Sequence, residues 1–211
     1  HQPFNAAKQR IYMSATIGSG GELERITGVP TIHRIPVPAG WDKQSTGRRL
    51  FIFPDRSFAP SEYFPWFNDV IKTSERALIL TPHNLAASSL KKSISKNGIS
   101  HTILDSTEVE ESMEPFTSTN KSILVLTNRY DGLDLPGAAC RILVVFNLPT
   151  SVNLQERFLW SRLGLSNVLS DRIRTRLTQA VGRCTRNSTD YAVVIMIGED
   201  LFDFCVKKEN L

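Results

Sequence analysis

The sequence predicts an α/β domain in which a mostly parallel sheet is covered by helices on both faces. Short apolar runs alternate with segments of helical period, and several runs are apolar throughout, as in strands buried on both faces. This alternation is typical of parallel sheets. The predicted strands are residues 10–15, 49–54, 77–82, 100–105, 122–127, 141–147 and 191–197, and the predicted helices are residues 60–72, 83–96, 151–163, 170–186 and 199–208.

Three stretches in or between these elements have a composition of their own. Residues 28–48 contain three prolines and three glycines and predict an irregular connection. The aromatic run at 63–67 could stack on bases, but packing in the core or at a domain interface is the favoured interpretation. The helical pattern at 151–163 is weak, and residues 160–170 could be a loop.

The helix predicted at 170–186 has two contrasting faces. Ser170 can cap it, and Asp171 lies in its first turn, where the macrodipole favours a carboxylate. The apolar face carries Ile173, Leu177, Ala180, Val181 and Cys184, and the other face carries Arg172, Arg176, Gln179, Arg183 and Arg186. Arginine suits forked contacts to phosphate, although a solvated arginine face is the alternative. Gly182 costs about 1 kcal/mol of helix stability relative to Ala, which indicates a close approach there.

Length and composition are those of an ordinary globular protein. The 211 residues are 41% hydrophobic, and the net charge of +4 leans towards polyanionic partners. The three cysteines lie far apart without a C-x-x-C pair, so neither a disulfide framework nor a metal cluster is indicated, and a reducing, cytoplasmic location is expected. The four scattered histidines predict no metal site. The sequence has neither a membrane-spanning apolar run nor a signal-peptide pattern.

Polar side chains follow one predicted strand at Thr127. The chain continues through Asp131, Gly132 and Asp134, where glycine allows a sharp turn between the two carboxylates. Such carboxylates suit a ribose hydroxyl or a metal-bound water, and an ordinary Asx turn is the alternative. Ligands of open parallel sheets bind at the carboxyl ends of strands, so we expect a binding role here.

A second polar stretch, Thr81, Pro82, His83 and Asn84, lies between a predicted strand and a predicted helix. One interpretation is a plain helix N-cap, formed by Thr81 or Asn84. The other is a helix N-terminus that offers backbone amides to a phosphate.

No segment has the pattern of a triphosphate-binding loop. Gly18, Gly20 and Gly21 cluster after the first predicted strand, but G-x-x-x-x-G-K-[ST] is absent there and elsewhere. The chain therefore has no visible means of holding a triphosphate and its magnesium by itself.

Four stretches, taken in order, resemble the motif set of superfamily 2 helicases. Ser14–Thr16 (SAT) resembles motif III, residues 78–84 (LILTPHN) motif IV, and residues 126–137 (LTNRYDGLDLPG) motif V. Residues 179–186 (QAVGRCTR) match the Q-x-x-G-R-x-x-R of motif VI in full. The DinG-like and XPD-like branch of DNA helicases is the most similar, with its G-x-D in motif V and a turn like that at 147–149.

This resemblance implies a domain organisation and a partner. Residues 31–211 would be a RecA-like second helicase domain, and residues 1–30 the tail of the first motor domain, carrying motif III. ATP with Mg²⁺ would be held mainly by the first RecA-like domain of a longer parent protein, so this chain alone should not hydrolyse ATP. The other expected partner is single-stranded or duplex nucleic acid, with DNA favoured.

The resemblance also implies residue roles. On the nucleotide side, Arg183 and Arg186 would be arginine fingers, with Gln179 contacting the nucleotide or a neighbouring motif and Gly182 allowing close approach of the partner domain. In motif V, Gly132 and Asp134 would contact the ribose or bridge to motif VI. On the strand side, Thr81, Pro82, His83, Asn84 and Thr127 would contact the nucleic-acid backbone, with little sequence preference.

Two further classes of function stay open at this point. The chain could be a nucleic-acid-binding module with a degenerate, non-motor RecA-like fold, or a motor subunit of a nuclease or defence complex. The intact pair of finger arginines favours the motor, since a binding module does not need arginines aligned with a γ-phosphate.

Overall fold

The computed structural model describes residues 2–13, 21–36, 38–40, 47–130, 135, 137–150, 158, 166–185 and 187–208. The chain divides into two units, His1–Pro38 and Ala39–Leu211. Assignment of the first unit to the tail of another motor domain stays a prediction.

The smaller unit has two short helices among its described residues, α1 (Gln2–Ala6) and α2 (Glu22–Thr27). Arg34 forms an ion pair with Glu24 of α2, with Nη2 donating to Oε2 over 3.0 Å. Residues 10–13 of the predicted first strand are not a strand, since the described part of this unit offers no strand for them to pair with. Residues 14–15 lie outside the described residues.

The larger unit is built on six strands among its described residues. They are β1 (Arg48–Ile52), β2 (Arg76–Thr81), β3 (Thr102–Leu104), β4 (Ser122–Thr127), β5 (Ile142–Phe146) and β6 (Tyr191–Ile197). Neighbours pair in parallel in the order β1-β6-β5-β2-β4-β3. All strands therefore start at one edge of the sheet, here called the amino edge, and finish at the opposite one, the carboxyl edge.

Helices cover both faces of this sheet. They are α3 (Pro54–Ser57), α4 (Pro60–Thr73), α5 (Asn84–Lys96), α6 (Glu114–Ser118), α7 (Ser166–Val181) and α8 (Glu199–Val206), with a 3₁₀ turn at Gly137–Ala139. Phe67 of α4 and Leu90 of α5 pack with Ile79 of β2 on one face. Leu177 of α7 packs with Leu80 of β2 on the other. The central strands are thus buried on both sides, which confirms the predicted α/β fold.

Several predicted bounds agree closely with the structure. Strands 122–127 and 191–197 are reproduced, and α4, α5 and α8 lie within two residues of prediction. In the aromatic run, Tyr63 and Phe67 are buried, so core packing is confirmed there. The helix predicted at 151–163 falls outside the described residues, apart from Phe158.

The helix predicted at 170–186 is wrong at both ends. Helix α7 starts at Ser166, so Ser170 lies inside it and is not its cap. It stops at Val181, and Gly182 to Cys184 form a turn. The helix ends before Gly182 because glycine has a low helix propensity, although the apolar periodicity of the sequence continues to Cys184.

Candidate functional site

At the carboxyl edge of the sheet, two threonines that were predicted to bind nucleic acid lie side by side. Thr81 and Thr127 occupy the same register position in β2 and β4. The Thr81 hydroxyl donates to the Leu126 carbonyl over 3.3 Å and lies 3.2 Å from the Thr127 hydroxyl. Thr81 is buried and Thr127 is half-buried. Thr127 is therefore the one of this pair that a ligand could reach, and Thr81 holds its hydroxyl in place.

His83 caps helix α5. Its Nδ1 accepts a hydrogen bond from the Ala86 backbone N–H over 3.1 Å, and its backbone is extended, with φ −157°. The predicted cap, Thr81 or Asn84, is therefore wrong, because the imidazole nitrogen performs the role that was expected of a hydroxyl or an amide. With Nδ1 as the acceptor, a neutral His83 carries its proton on Nε2.

His83 and Asn84 are exposed, whereas Pro82 is buried. Of the five residues predicted to bind nucleic acid, a ligand could reach the side chains of His83, Asn84 and Thr127. Pro82 and Thr81 belong to the interior of the carboxyl edge.

Of the motif VI segment (residues 179–186), the described residues 179–185 lie towards the amino edge of the sheet. Gln179 is half-buried in the last turn of α7, and Arg183 lies in the turn beyond it. Only 1% of Arg183 is exposed, and it is the largest fully buried side chain among the described residues. The sequence placed Arg183 on the cationic face of a helix. This placement is wrong, because the helix has already ended.

Backbone contacts join the motif V segment (residues 126–137) to the motif VI segment. The Leu135 N–H donates to the Arg183 carbonyl over 3.1 Å. The Gly137 N–H donates to Asp190 Oδ1 over 3.2 Å, and the Asn187 N–H to Asp190 Oδ2 over 2.9 Å. We call this carboxylate and its two backbone donors the Asp190 bridge.

Asp190 was missed by sequence reasoning. It is 5% exposed and directly precedes β6, and its carbonyl accepts from the Arg48 N–H at the start of β1 over 2.8 Å. Gly47 packs against it so closely that an added Cβ would lie 2.2 Å from the Asp190 carbonyl oxygen. The available signal was an aspartate closing the polar stretch Asn-Ser-Thr-Asp before an apolar strand, which reads as an ordinary turn.

Two cysteines that are distant in sequence meet beneath these segments. Cys140 and Cys184 are free, buried thiols in the same core cluster. A hydrogen bond with Cys140, together with burial, raises the pKa of Cys184 above its ordinary range, so Cys184 is a neutral thiol at physiological pH. The two thiols therefore pack as small apolar side chains behind the turn that carries Arg183.

The remaining predicted site residues, Gly132, Asp134 and Arg186, lie outside the described residues, as do Asp131 and the motif III triplet Ser14–Thr16. Within the described ranges, no group of three His, Cys, Asp or Glu side chains could hold a metal ion. The described helices also include none long and apolar enough to cross a membrane.

The profile of the helicase C-terminal domain family matches residues 68–203. This match covers more than half of the chain, and the chain belongs to that family. It includes β2 to β6, the stretch 81–84, and the motif V and motif VI segments. No curated protein matches the chain.

Solved helicase structures share the fold. The chain is similar to an XPD helicase (17% identity, TM-score 0.63, covering 93% of this chain and 40% of that one). It is also similar to S. tokodaii Xpd4 (16%, 0.53, 84% and 39%) and to S. cerevisiae Dbp5 bound to RNA and ADP BeF3 (17%, 0.50, 75% and 37%). The chain thus spans well under half the length of each, and at these identities the likeness shows the RecA-like fold alone.

Proposed function

We propose that this chain is the second motor domain of an ATP-dependent nucleic-acid helicase or translocase. The observation that carries the proposal is that the end of the motif V segment, Leu135 and Gly137, is joined to the motif VI segment at the amino edge, through Leu135–Arg183 and the Asp190 bridge. The residues that a nucleic acid could reach, His83, Asn84 and Thr127, lie at the other edge of the sheet, the carboxyl edge. A motor must couple nucleic-acid binding to nucleotide turnover, and one sheet that carries both surfaces supports such coupling.

On the nucleotide side, the first RecA-like domain of a longer parent protein would hold ATP with Mg²⁺. Of the two predicted fingers, Arg186 would then stabilise the charge that develops on the γ-phosphate as water attacks it, and such a finger is worth about 10³–10⁵ in rate. Arg183 anchors this segment in the core. Arg186 follows within the same short stretch and directly precedes Asn187, whose N–H is fixed by Asp190. This arrangement supports Arg186 as the finger that extends to the nucleotide.

On the strand side, the exposed Asn84 and the Nε2–H of His83 would donate to phosphate oxygens. The Thr127 hydroxyl would add a third contact beside them. These side chains would contact the phosphate backbone of the nucleic acid and not its bases, so binding should depend on salt and show little base preference. DNA is the favoured track, because the chain resembles the XPD-like branch.

The test is ATP hydrolysis by the parent protein with and without single-stranded DNA or RNA. Arg186→Ala should lower strand-stimulated turnover by about 10³–10⁵-fold and leave strand affinity unchanged. The matched control is Arg174→Ala on α7, which removes an exposed ion pair with Asp171 and should leave turnover intact. Equal losses in the two variants would contradict the finger role.

The same assay distinguishes the alternative binding module. A wild-type parent that binds single strands but hydrolyses no ATP under any condition would be a non-motor protein with an inherited motif VI.

A further inference from the structure

The Asp190 bridge connects both segments that carry predicted nucleotide contacts. Its Oδ1 accepts from Gly137 of the motif V segment, and its Oδ2 accepts from Asn187, the residue after the motif VI segment. Each donor lies within three residues of a predicted site residue, Asp134 and Arg186 respectively. One side chain therefore fixes the backbone beside both.

The bridge is itself held by the sheet. Asp190 immediately precedes β6, and its carbonyl accepts from the Arg48 N–H of the neighbouring β1. Gly47 lets the chain at the start of β1 approach the Asp190 backbone this closely, since a Cβ at Gly47 would lie 2.2 Å from the Asp190 carbonyl oxygen. The carboxylate thus fixes two backbone segments relative to the sheet edge, one at the first residue of the 3₁₀ turn Gly137–Ala139 and one at Asn187, which lies outside the helices and strands.

An ionised carboxylate suits this task better than an amide. It accepts at both oxygens, and hydrogen bonds to a charged acceptor are stronger than neutral ones. An asparagine offers one oxygen, and its amide nitrogen would face a second backbone N–H, donor against donor. Asparagine therefore keeps one half of the bridge.

We propose that Asp190 is a positioning residue for nucleotide hydrolysis, which holds the motif V and motif VI segments in a fixed relation so that both meet the nucleotide together. This inference rests on the proposed motor function. It assigns the role to a residue outside both motifs, through its hydrogen bonds and without contact to the substrate.

The experiment compares Asp190→Asn and Asp190→Ala with wild type in the parent protein. Misplacing catalytic groups by about 1 Å can cost about 100-fold, so kcat should fall by about that factor in Asp190→Ala and by less in Asp190→Asn. Affinity for ADP with aluminium fluoride, a transition-state analogue, should fall in parallel with kcat. The KM for ATP and the Kd for single-stranded DNA should change little, because ground-state contacts and the carboxyl edge are intact.

A matched control separates positioning from lost stability. Leu104→Ala truncates a buried side chain on β3, at the far side of the sheet from β6, and should lower Tm while leaving the analogue affinity unchanged. Should Asp190→Ala fail to fold, Asp190→Asn keeps the volume and one acceptor and carries the test.

Three outcomes would overturn the inference. Wild-type kcat in Asp190→Ala would overturn it and leave the motor function standing. So would kcat, KM and strand Kd that all worsen with falling Tm, as in a destabilised protein. A wild-type parent without any ATP hydrolysis would overturn the motor function and this role with it.

Discussion

The two edges of the sheet are built in different ways. At the carboxyl edge, Thr81 and Thr127 are last residues of adjacent strands, and their hydroxyls satisfy each other directly. At the amino edge the contacts join separate segments: the Leu135 N–H donates to the Arg183 carbonyl, and the Gly137 N–H donates to the buried Asp190 carboxylate. The carboxyl edge presents the exposed donors His83 and Asn84, whereas the amino edge buries the Arg183 guanidinium.

This difference shows which edge the sequence can predict. Residues that follow a strand are found once the strand is found, so Thr127 and the 81–84 stretch were located by pattern alone. The contacts of the amino edge depend on long-range packing, which periodicity does not record. Arg183 was recognised through the motif VI resemblance, and Asp190, outside any motif, was missed.

The largest expected effect breaks the amino edge at Arg183. Arg183→Ala should lower turnover of the parent protein stimulated by nucleic acid by about 10³-fold or more, because the segment that carries the finger Arg186 loses its anchor. Truncation at a 1% exposed position also leaves a cavity, so the free energy of unfolding should fall by about 3 kcal/mol. Urea unfolding measures the second effect, and a wild-type unfolding midpoint would show that Arg183 does not support the fold. Arg174→Ala is again the control.

Two glycines at the amino edge, Gly47 and Gly182, differ in the space around them, and the same substitution at each should change stability by different amounts. Gly47→Ala should cost about 1–3 kcal/mol of unfolding free energy, because its Cβ would lie 2.2 Å from the Asp190 carbonyl oxygen. Gly182→Ala should change stability little, because its Cβ would meet the Thr178 carbonyl oxygen at an ordinary 3.5 Å.

If a partner domain approaches Gly182, as the motif VI resemblance implies, Gly182→Ala should nevertheless slow ATP turnover in the parent protein. Equal stability losses at the two glycines would contradict the packing difference. Unchanged turnover in Gly182→Ala would remove the close approach.

Two buried threonines compare the edges directly. The Thr81 hydroxyl is hydrogen-bonded, so Thr81→Val should cost about 1 kcal/mol. The buried Thr185 hydroxyl has no hydrogen-bond partner in the described chain, so Thr185→Val should be neutral or stabilising by about 1 kcal/mol. Thermal melting measures both changes, and Tm should fall more in Thr81→Val than in Thr185→Val. A larger fall in Thr185→Val would show that the Thr185 hydroxyl is hydrogen-bonded at the amino edge.

The smallest effect is an ion pair at the carboxyl edge. Lys91 Nζ lies 2.7 Å from Asp105 Oδ2, and this contact, with bonds from Thr107, holds the pKa of Asp105 below its ordinary value of 3.8. Because the folded-state pKa is lowered, the stabilisation is complete at pH values above the ordinary pKa of Asp105. It is lost as the pH falls from there through the lowered pKa of the folded state.

Lys91→Met should therefore lower stability at pH 7 by about 0.2–1 kcal/mol, because both partners are partly exposed. The loss should shrink in acid, where wild type and variant converge. Urea unfolding at pH 7 and in acid tests this, and a pH-independent difference would assign the loss to packing of the lysine stem.

The fold was predictable because the central strands are continuously apolar and the helices α4 and α5 have clear periods. The bounds of α7 were not, because the apolar pattern of Ala180, Val181 and Cys184 continues through a turn that Gly182 introduces. The cap of α5 was missed because His83 uses a ring nitrogen, which is an uncommon cap.

The most direct test of the division between the edges is a crossed measurement in the parent protein. It determines the Kd for a labelled single strand and kcat at saturating strand, for Arg186→Ala and for the double variant His83→Ala, Thr127→Val. We predict that Arg186→Ala loses kcat with an unchanged Kd, and that the double variant raises Kd but recovers wild-type kcat once saturated. Parallel losses of both quantities in both variants would contradict the assignment of nucleotide to one edge and strand to the other.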